Sequence, residues 1–279
     1  MASDFGSRRH SAPGLASFLS VLVTRRSLLW ELVLRDLRDA YQGSAFSKWW
    51  AILHPLLIIA LYLFVFGHVF SPRLGGTIPD VPDFAVFLLS GLAAWLTVQA
   101  ALMKSATSLT GSANLVKQVV FPIELLPVRA VLAAQVPLLI GIVVLIVYSA
   151  VRFGLVSPLL PLVIVVLLLQ TMLLIGMGLL FAALTVFLRD VRDVLQIFVT
   201  IGLFLAPILY VPDSLPAWFE TVMFFNPFSY AIWCFQDIFF FQAIVHPSAW
   251  LALTIGSVVS LLVGVMFFER TRQHFGDAL

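Results

Sequence analysis

Apolar and polar positions alternate with helical spacing between Leu28 and Phe70, where an amphipathic, basic stretch runs without a break into a long apolar one. At about 100° per residue, Leu29, Trp30, Val33, Leu34, Leu37, Ala40 and Tyr41 share one arc, and Glu31, Arg35, Arg38, Asp39 and Gln42 share the other. Leu28 and Leu32 fall on the polar side. The pattern predicts a helix lying along a membrane surface, with the rings of Trp30 and Tyr41 at headgroup level. Apolar runs of roughly 20 residues follow, each long enough to cross a bilayer, and they number about six. They are Trp49 to Phe70, Phe84 to Met103, Leu125 to Val151, Leu159 to Phe187, the shorter Val194 to Tyr210, and Trp250 to Phe268. The segment Val211 to Pro247 is apolar and aromatic but broken by Pro212, Pro216, Pro227 and Pro247, which suits short re-entrant or interfacial helices. An ordinary seventh span over Phe224 to Val245 is the alternative. On the last span Gly256, Ser260 and Gly264 recur every fourth position, which permits close helix packing without saying against what.

Composition makes these runs membrane spans rather than core helices of a soluble domain. Of 279 residues 61% are hydrophobic and 11% charged, against roughly 25% charged in soluble domains. The predicted fold is an all-α integral membrane protein with six transmembrane helices, an N-terminal amphipathic interfacial helix and a re-entrant segment before the last helix. Its divisions are an N-terminal tail over 1–26, the interfacial helix over 27–48 and a transmembrane domain over 49–279. The tail carries Arg8 and Arg9 but no apolar run leading to a cleavage site, and reads as a retained cytoplasmic segment. Cys234 is alone, so no intrachain disulfide forms. With an even number of spans, Arg25, Arg26, Arg35, Arg38, Lys48, Lys104, Lys117, Arg129, Arg189, Arg192, Arg270 and Arg272 fall on one side, and only Arg73 and Arg152 on the other. The positive-inside rule then places both termini in the cytoplasm. A seventh span would carry the C-terminal arginines outside, so charge supports the re-entrant reading.

Candidate chemistry narrows the function. None of the six spans has a carboxylate in its middle, whereas ion-coupled transport calls for ionisable groups at membrane depth. Asp237 alone is ambiguous, inside the proline-broken segment. No Gly-x-x-x-x-Gly-Lys-Ser/Thr loop is present to cradle a nucleotide. The histidines His10, His54, His68, His246 and His274 are scattered, without the spacing that holds a metal or runs acid–base catalysis. No catalytic, cofactor or metal site is therefore expected on this chain, and active transport would need a partner to supply the energy.

Several stretches point to a family. Leu34 to Ser44 reads LRDLRDAYQGS, and Trp49 to Leu57 reads WWAILHPLL. Leu115 to Pro127 reads LVKQVVFPIELLP; Arg189-Asp190-Val191-Arg192-Asp193 leads to Ala206-Pro207-Ile208-Leu209-Tyr210; and Asn226-Pro227-Phe228-Ser229-Tyr230 follows. In this order and placement they resemble the ABC-2 type permeases that export lipid-linked polysaccharides, most of all O-antigen exporters, with capsule and teichoic-acid exporters close behind. The chain departs from the family pattern at His54, Ala206 and Gln236, where asparagine, serine and arginine are frequent.

The resemblance implies a multi-pass subunit of the bacterial cytoplasmic (inner) membrane that forms a homodimer and binds two cytoplasmic ABC ATPase subunits. ATP and Mg would sit on those ATPases, and membrane lipid and a lipid-linked polysaccharide would be the other partners, with no nucleic acid. ATPase coupling would fall to Arg35, Asp36, Arg38 and Tyr41 on the first helix and to Asn114, Lys117, Gln118, Phe121 and Glu124 on the second connection. There Asn114, Lys117 and Gln118 would face water while Leu115, Val119 and Phe121 seat in a groove of the partner. Both segments resting on lipid headgroups is the other reading. A polysaccharide path mixes aromatic faces with hydrogen-bonding groups, which selects Tyr62, Phe66, Phe87, Trp95, Gln99, Phe204 and Tyr210. Lipid contact or helix packing would use the same residue types. Two rival functions are an ABC-2 permease for a small lipid or drug and, further off, a polytopic membrane enzyme acting on lipid-linked sugars.

Overall fold

The computed structural model describes residues 14–39, 47–65, 81–117, 121–153, 157–210 and 217–278, and among them every regular element is helical. The chain opens with α1 (Leu15–Thr24), α2 (Arg26–Asp39) and α3 (Ser47–Phe64), followed by α4 (Val81–Ala106) and the one-turn α5 (Ala113–Val116). Next come α6 (Leu125–Ala134), α7 (Val136–Phe153), α8 (Leu162–Phe187) and α9 (Asp190–Leu205). The hairpin α10 (Ala217–Phe225) and α11 (Ser229–Gln236) continues into a π-helical turn, Asp237–Phe241, and α12 (Pro247–Thr271) and the short α13 (Phe275–Ala278) close the chain.

Among the described residues, four helical stretches are long and apolar enough to cross a membrane: Phe84–Ala106, Leu125–Val151, Leu162–Phe187 and Pro247–His274. The other two predicted spans are shorter as described. Helix α3 has 18 residues with Pro55 inside it, and α9 has 16. Helix α9 begins before the predicted Val194 because Asp190 and Asp193 occupy its first turn, where carboxylates complement the helix dipole. It stops at Leu205 because Pro207 forces Ala206 into extended backbone, at φ −95° and ψ 154°.

Helix α4 is the hub. It packs against α3, α6, α7, α8, α9 and α11, and its residues from Phe84 to Trp95 are almost all buried. The run Leu125–Val151 is two helices rather than one. Pro137 in the first turn of α7 has no N–H to return to Ala133, so the ladder breaks at Gln135, whose own N–H turns to Leu132 O at 3.2 Å. The largest helix–helix contact is α8 with α12. At its centre Gly264 lies directly on the backbone of Gly176, and Ser260 donates its hydroxyl to Leu173 O at 2.9 Å. Two of the three predicted small-residue positions therefore face α8, whereas Gly256 faces open space.

A second hydrophobic cluster gathers at one end of the bundle. Phe18 of α1, Leu109 and Ile123 of the connection between α4 and α6, Leu179 and Ala183 of α8, Phe268 of α12 and Phe275 of α13 all bury there. The predicted tail thus contains a helix: Leu15, Phe18 and Leu22, spaced three and four apart, seat α1 on α12. Sequence periodicity passes over it because ten residues are too few to stand out beside a whole chain of apolar runs.

The α10–α11 hairpin turns at Asn226-Pro227-Phe228, with Asn226 Oδ1 accepting the Phe228 N–H at 3.1 Å and Tyr230 Oη donating to Phe224 O at 2.6 Å. Helix α11 and the π turn are buried from Ala231 to Phe239 against α4, α8 and α12. Gln242, at φ 52°, reverses the chain toward α12.

Candidate functional site

Helix α2 lies on α6, and that contact changes which of its faces is inward. Leu32, assigned by periodicity to the polar side, is 9% exposed, while Trp30, assigned to the apolar arc, is 61% exposed. The inward stripe runs through the buried Leu32 and Val33 and the half-buried Leu29, Asp36 and Leu37, a rotation toward the neighbouring helix. Arg35 and Arg38 remain exposed, and Arg35 pairs with Asp39 at 3.4 Å one turn on. Asp36 turns inward to Arg129 of α6, with Nε to Oδ2 at 3.5 Å. Burial raises the pKa of the Asp36 carboxyl above its ordinary value, against the opposing pull of Arg129 and Lys104.

Where α2, the end of α4 and α6 meet, they enclose an open polar cleft of about 320 Å³. Its wall includes Asp36, Lys104, Thr107, Gly111, Ser112 and Arg129. The remaining residues expected to couple to a partner divide by orientation. Asn114 and Lys117 face outward from α5 and its end, whereas Phe121 is half-buried and Glu124 is buried at the start of α6. Leu115 and Phe121 pack on this chain's own second cluster, so the apolar side expected to seat in a partner is already occupied at home. Tyr41, Gln118 and Val119 lie outside the described residues. Lys104 and Arg129, used above only to orient the chain, are the residues that sequence reasoning missed here. Their signal was present: one cation at each end of the same connection, brought together when α4 packs on α6.

The residues selected for a polysaccharide path do not form one surface. Trp95 is 0% exposed, its ring packed on Gly202 and tilted or edge-on to Phe198 and Phe228, with centroids 6.5 and 6.2 Å away. Its Nε1–H, the polar atom for which it was selected, is buried without a partner. Phe87 is buried edge-on to Phe240. In this conformation both are core residues that present no face to a path. Tyr62, Gln99 and Tyr210 are half-exposed, Tyr210 resting edge-on against Phe219, and Phe204 stands on the open face of α9 with Ile197 and Ile201. Phe66 lies outside the described residues. A separate apolar cavity of about 630 Å³ opens between α8, α9 and the 227–228 turn, lined by Met177, Phe181, Val194 and Phe198 among others.

One buried carboxyl group gathers three polar contacts. Asp237, 0% exposed, accepts the backbone N–H of His246 at 3.1 Å and the indole N–H of Trp250 at 2.9 Å, and its Oδ1 lies 2.7 Å from His246 Nδ1. The imidazole is stacked on Trp233 and edge-on to Phe241. The sequence showed Asp237 as ambiguous and His246 as scattered; the reversal at Gln242 folds them onto each other. With its oxygens engaged and no surface, Asp237 ties the outgoing end of the hairpin to α12 rather than offering a base to a substrate.

The sequence profile of the ABC-2 type transporter family matches residues 27–240, more than half of the chain. An O-antigen export system permease protein RfbA of Klebsiella pneumoniae is 25% identical over 257 residues, covering 90% of this chain and 95% of the relative. RfbA of Myxococcus xanthus is 24% identical, covering 91% and 96%. The polysialic acid transport protein KpsM of Escherichia coli is 25% identical over 245 residues, covering 87% and 92%.

Proposed function

The chain belongs to the ABC-2 type transporters, and on that premise we propose that it is the membrane subunit of an exporter that carries a lipid-linked polysaccharide, an O-antigen before any other, across the bacterial inner membrane. The observation that carries the reading is likeness along nearly the whole length to permeases whose names specify polysaccharide export, rather than to a single shared motif. The absence of a P-loop from the sequence supports a division of labour: two cytoplasmic ATPase subunits bind ATP and Mg, and a homodimer of this chain forms the path. Six spans with both termini in the cytoplasm, the α10–α11 hairpin re-entering from the outer side, accord with the placement of Lys and Arg. The exposed cations Arg35, Arg38 and Lys117, with Asn114, would meet the ATPases, while Asp36, Phe121 and Glu124 brace them from behind.

The path would run between two copies. Phe204 on the open face of α9 and the half-exposed Tyr62, Gln99 and Tyr210 are the side chains able to reach it in this conformation; Trp95 and Phe87 would reach it only if α4 and α9 parted. The apolar cavity beside α9 favours a second reading, a permease for a small lipid, since its lining suits an alkyl chain better than a sugar.

The test is purification of the chain in mild detergent from its own membrane with identification of bound subunits, followed by an ATPase assay. An ATPase recovered at equal stoichiometry and stimulated by lipid-linked glycan is the expected result. Stimulation by small amphiphiles alone would favour the second reading, and a chain that purifies by itself would overturn both.

A further inference from the structure

We propose that the polar cleft between α2, α4 and α6 binds the phosphate of an anionic lipid headgroup, gripping it between Lys104 and Arg129. The inference rests on the membrane reading for its depth and on the export reading only for one of its two lipid sources.

The cleft has the right charge and it is incomplete. Arg129 carries five N–H donors, yet its described contacts are two long ones, to Asp36 at 3.5 Å and to the Ser112 hydroxyl at 3.4 Å. The Nε–H that faces Asp36 is buried and makes an ion pair there without a hydrogen bond, and it is Nη2 that reaches Ser112. Among the described residues no ion pair includes Lys104, so the cleft holds two cations against the single carboxylate of Asp36. The hydroxyls of Thr107 and Ser108 donate back to Met103 O and Ser105 O of their own chain segment. The Ser112 hydroxyl accepts from Arg129 and keeps its proton for a further acceptor. A guanidinium fork, an ammonium and a hydroxyl around one cavity form the donor set that phosphate oxygens fill.

Depth and size select a lipid. Lys104 stands in the last turn of α4, two residues before the apolar stretch ends at Ala106, and Arg129 stands near the start of the next, which begins at Leu125. Both therefore lie where the hydrocarbon gives way to headgroups. The volume of about 320 Å³ is sufficient for a phosphate or diphosphate. Among the described residues no atom lies within 4 Å of a Cβ added at Gly111, a lining residue of the cleft, so a side chain there has room to start and Gly111→Leu adds bulk at the lining.

The full chain, in phosphatidylcholine nanodiscs, is titrated with polyprenyl diphosphate, with phosphatidylglycerol and with free pyrophosphate, and binding is read by native mass spectrometry. Expected is binding of a phosphate lipid that weakens about tenfold, about 1.4 kcal/mol, in Lys104→Gln and in Gly111→Leu, and is unchanged in Arg192→Gln, an exposed cation outside the cleft. Loss confined to polyprenyl diphosphate would assign the cleft to the carrier of the exported glycan; loss for both lipids would assign it to the bulk anionic headgroup. Either supports the proposal. Unchanged lipid binding in both cleft variants overturns it, as does binding of pyrophosphate without any lipid. Loss of ATPase capture with lipid binding intact also overturns it and gives the cleft to a protein partner. Should no ATPase be found at all, the export reading fails while the titration still reports on Lys104.

Discussion

At Gly264 a single hydrogen atom in place of a methyl group lets α8 and α12 touch. A Cβ there would fall on the backbone of Gly176, and one at Gly176 would fall on that of Ser260, so the two helices meet main chain to main chain with the Ser260 hydroxyl bridging to Leu173 O. In lipid, where apolar side chains gain nothing by leaving the solvent, such close packing and the interhelical hydrogen bond hold the pair together. Gly264→Ala should lower stability by about 2 kcal/mol or more through overpacking, whereas Gly256→Ala, directed into open space, should be neutral or gain up to about 1 kcal/mol of helix propensity. Thermal unfolding of the two variants in the same detergent checks the contrast. Equal midpoints would remove the distinction between the two glycines, which the spacing Gly256, Ser260, Gly264 does not make. The same limit applies to Trp95: its aromatic ring and polar N–H marked it as a candidate for a path, but Gly202 on α9 leaves a notch into which the ring fits, and that notch lies 107 positions away in the chain.

Helix α2 carries the clearest amphipathic pattern in the chain and was oriented incompletely by it. Periodicity distinguishes an apolar face from a polar one, but it does not say what each apolar residue meets: α6 packs on one flank of α2, and Trp30 stays exposed on another. Leu32 therefore belongs to the protein side and Trp30 to the outer side. Leu32→Ala should loosen the docking of α2 by about 2 kcal/mol, and Trp30→Ala should change stability by less than about 0.5 kcal/mol; limited proteolysis at Arg35 or Arg38, inside α2, where cleavage requires the helix to open locally, reads both. Equal protease sensitivity would refute the rotated face. Element boundaries were more legible where an element ends for a local reason. The Asn226-Pro227 turn splits α10 from α11 within the proline-broken segment through contacts a few residues from the break, whereas the expected fifth span ran on to Tyr210 past Pro207, which stops α9 at Leu205. The division of α6 from α7 at Gln135 has an equally local cause in Pro137, but an unbroken apolar run concealed it.

For the molecule as a whole, the placement of Lys and Arg predicts that the end of the bundle bearing α2, the 107–124 connection and the C-terminus faces the cytoplasm. The single native thiol, Cys234, is buried, so introduced cysteines can be probed in an otherwise silent background. In intact cells a membrane-impermeant maleimide should label Ser248→Cys at the start of α12 and spare Thr110→Cys until the membrane is opened; both positions are exposed. Labelling in the reverse order would invert the topology, and with it the side from which an ATPase could dock.

By itself the sequence determined the class and the register of this protein. Apolar length specifies helices that can span a bilayer and the placement of Lys and Arg gives an expected orientation, because lipid imposes its demands on each segment separately, and an ordered series of motifs points to the ABC-2 family. Only the tertiary structure decided which side chains meet. Asp237 finds His246 and Trp250 through the reversal at Gln242, Lys104 and Arg129 share a cleft because α4 packs on α6, and Trp95 disappears into the core beside Gly202. Each of these depends on a contact between helices, and helix contacts are settled by the shape of two surfaces together, which neither segment encodes alone.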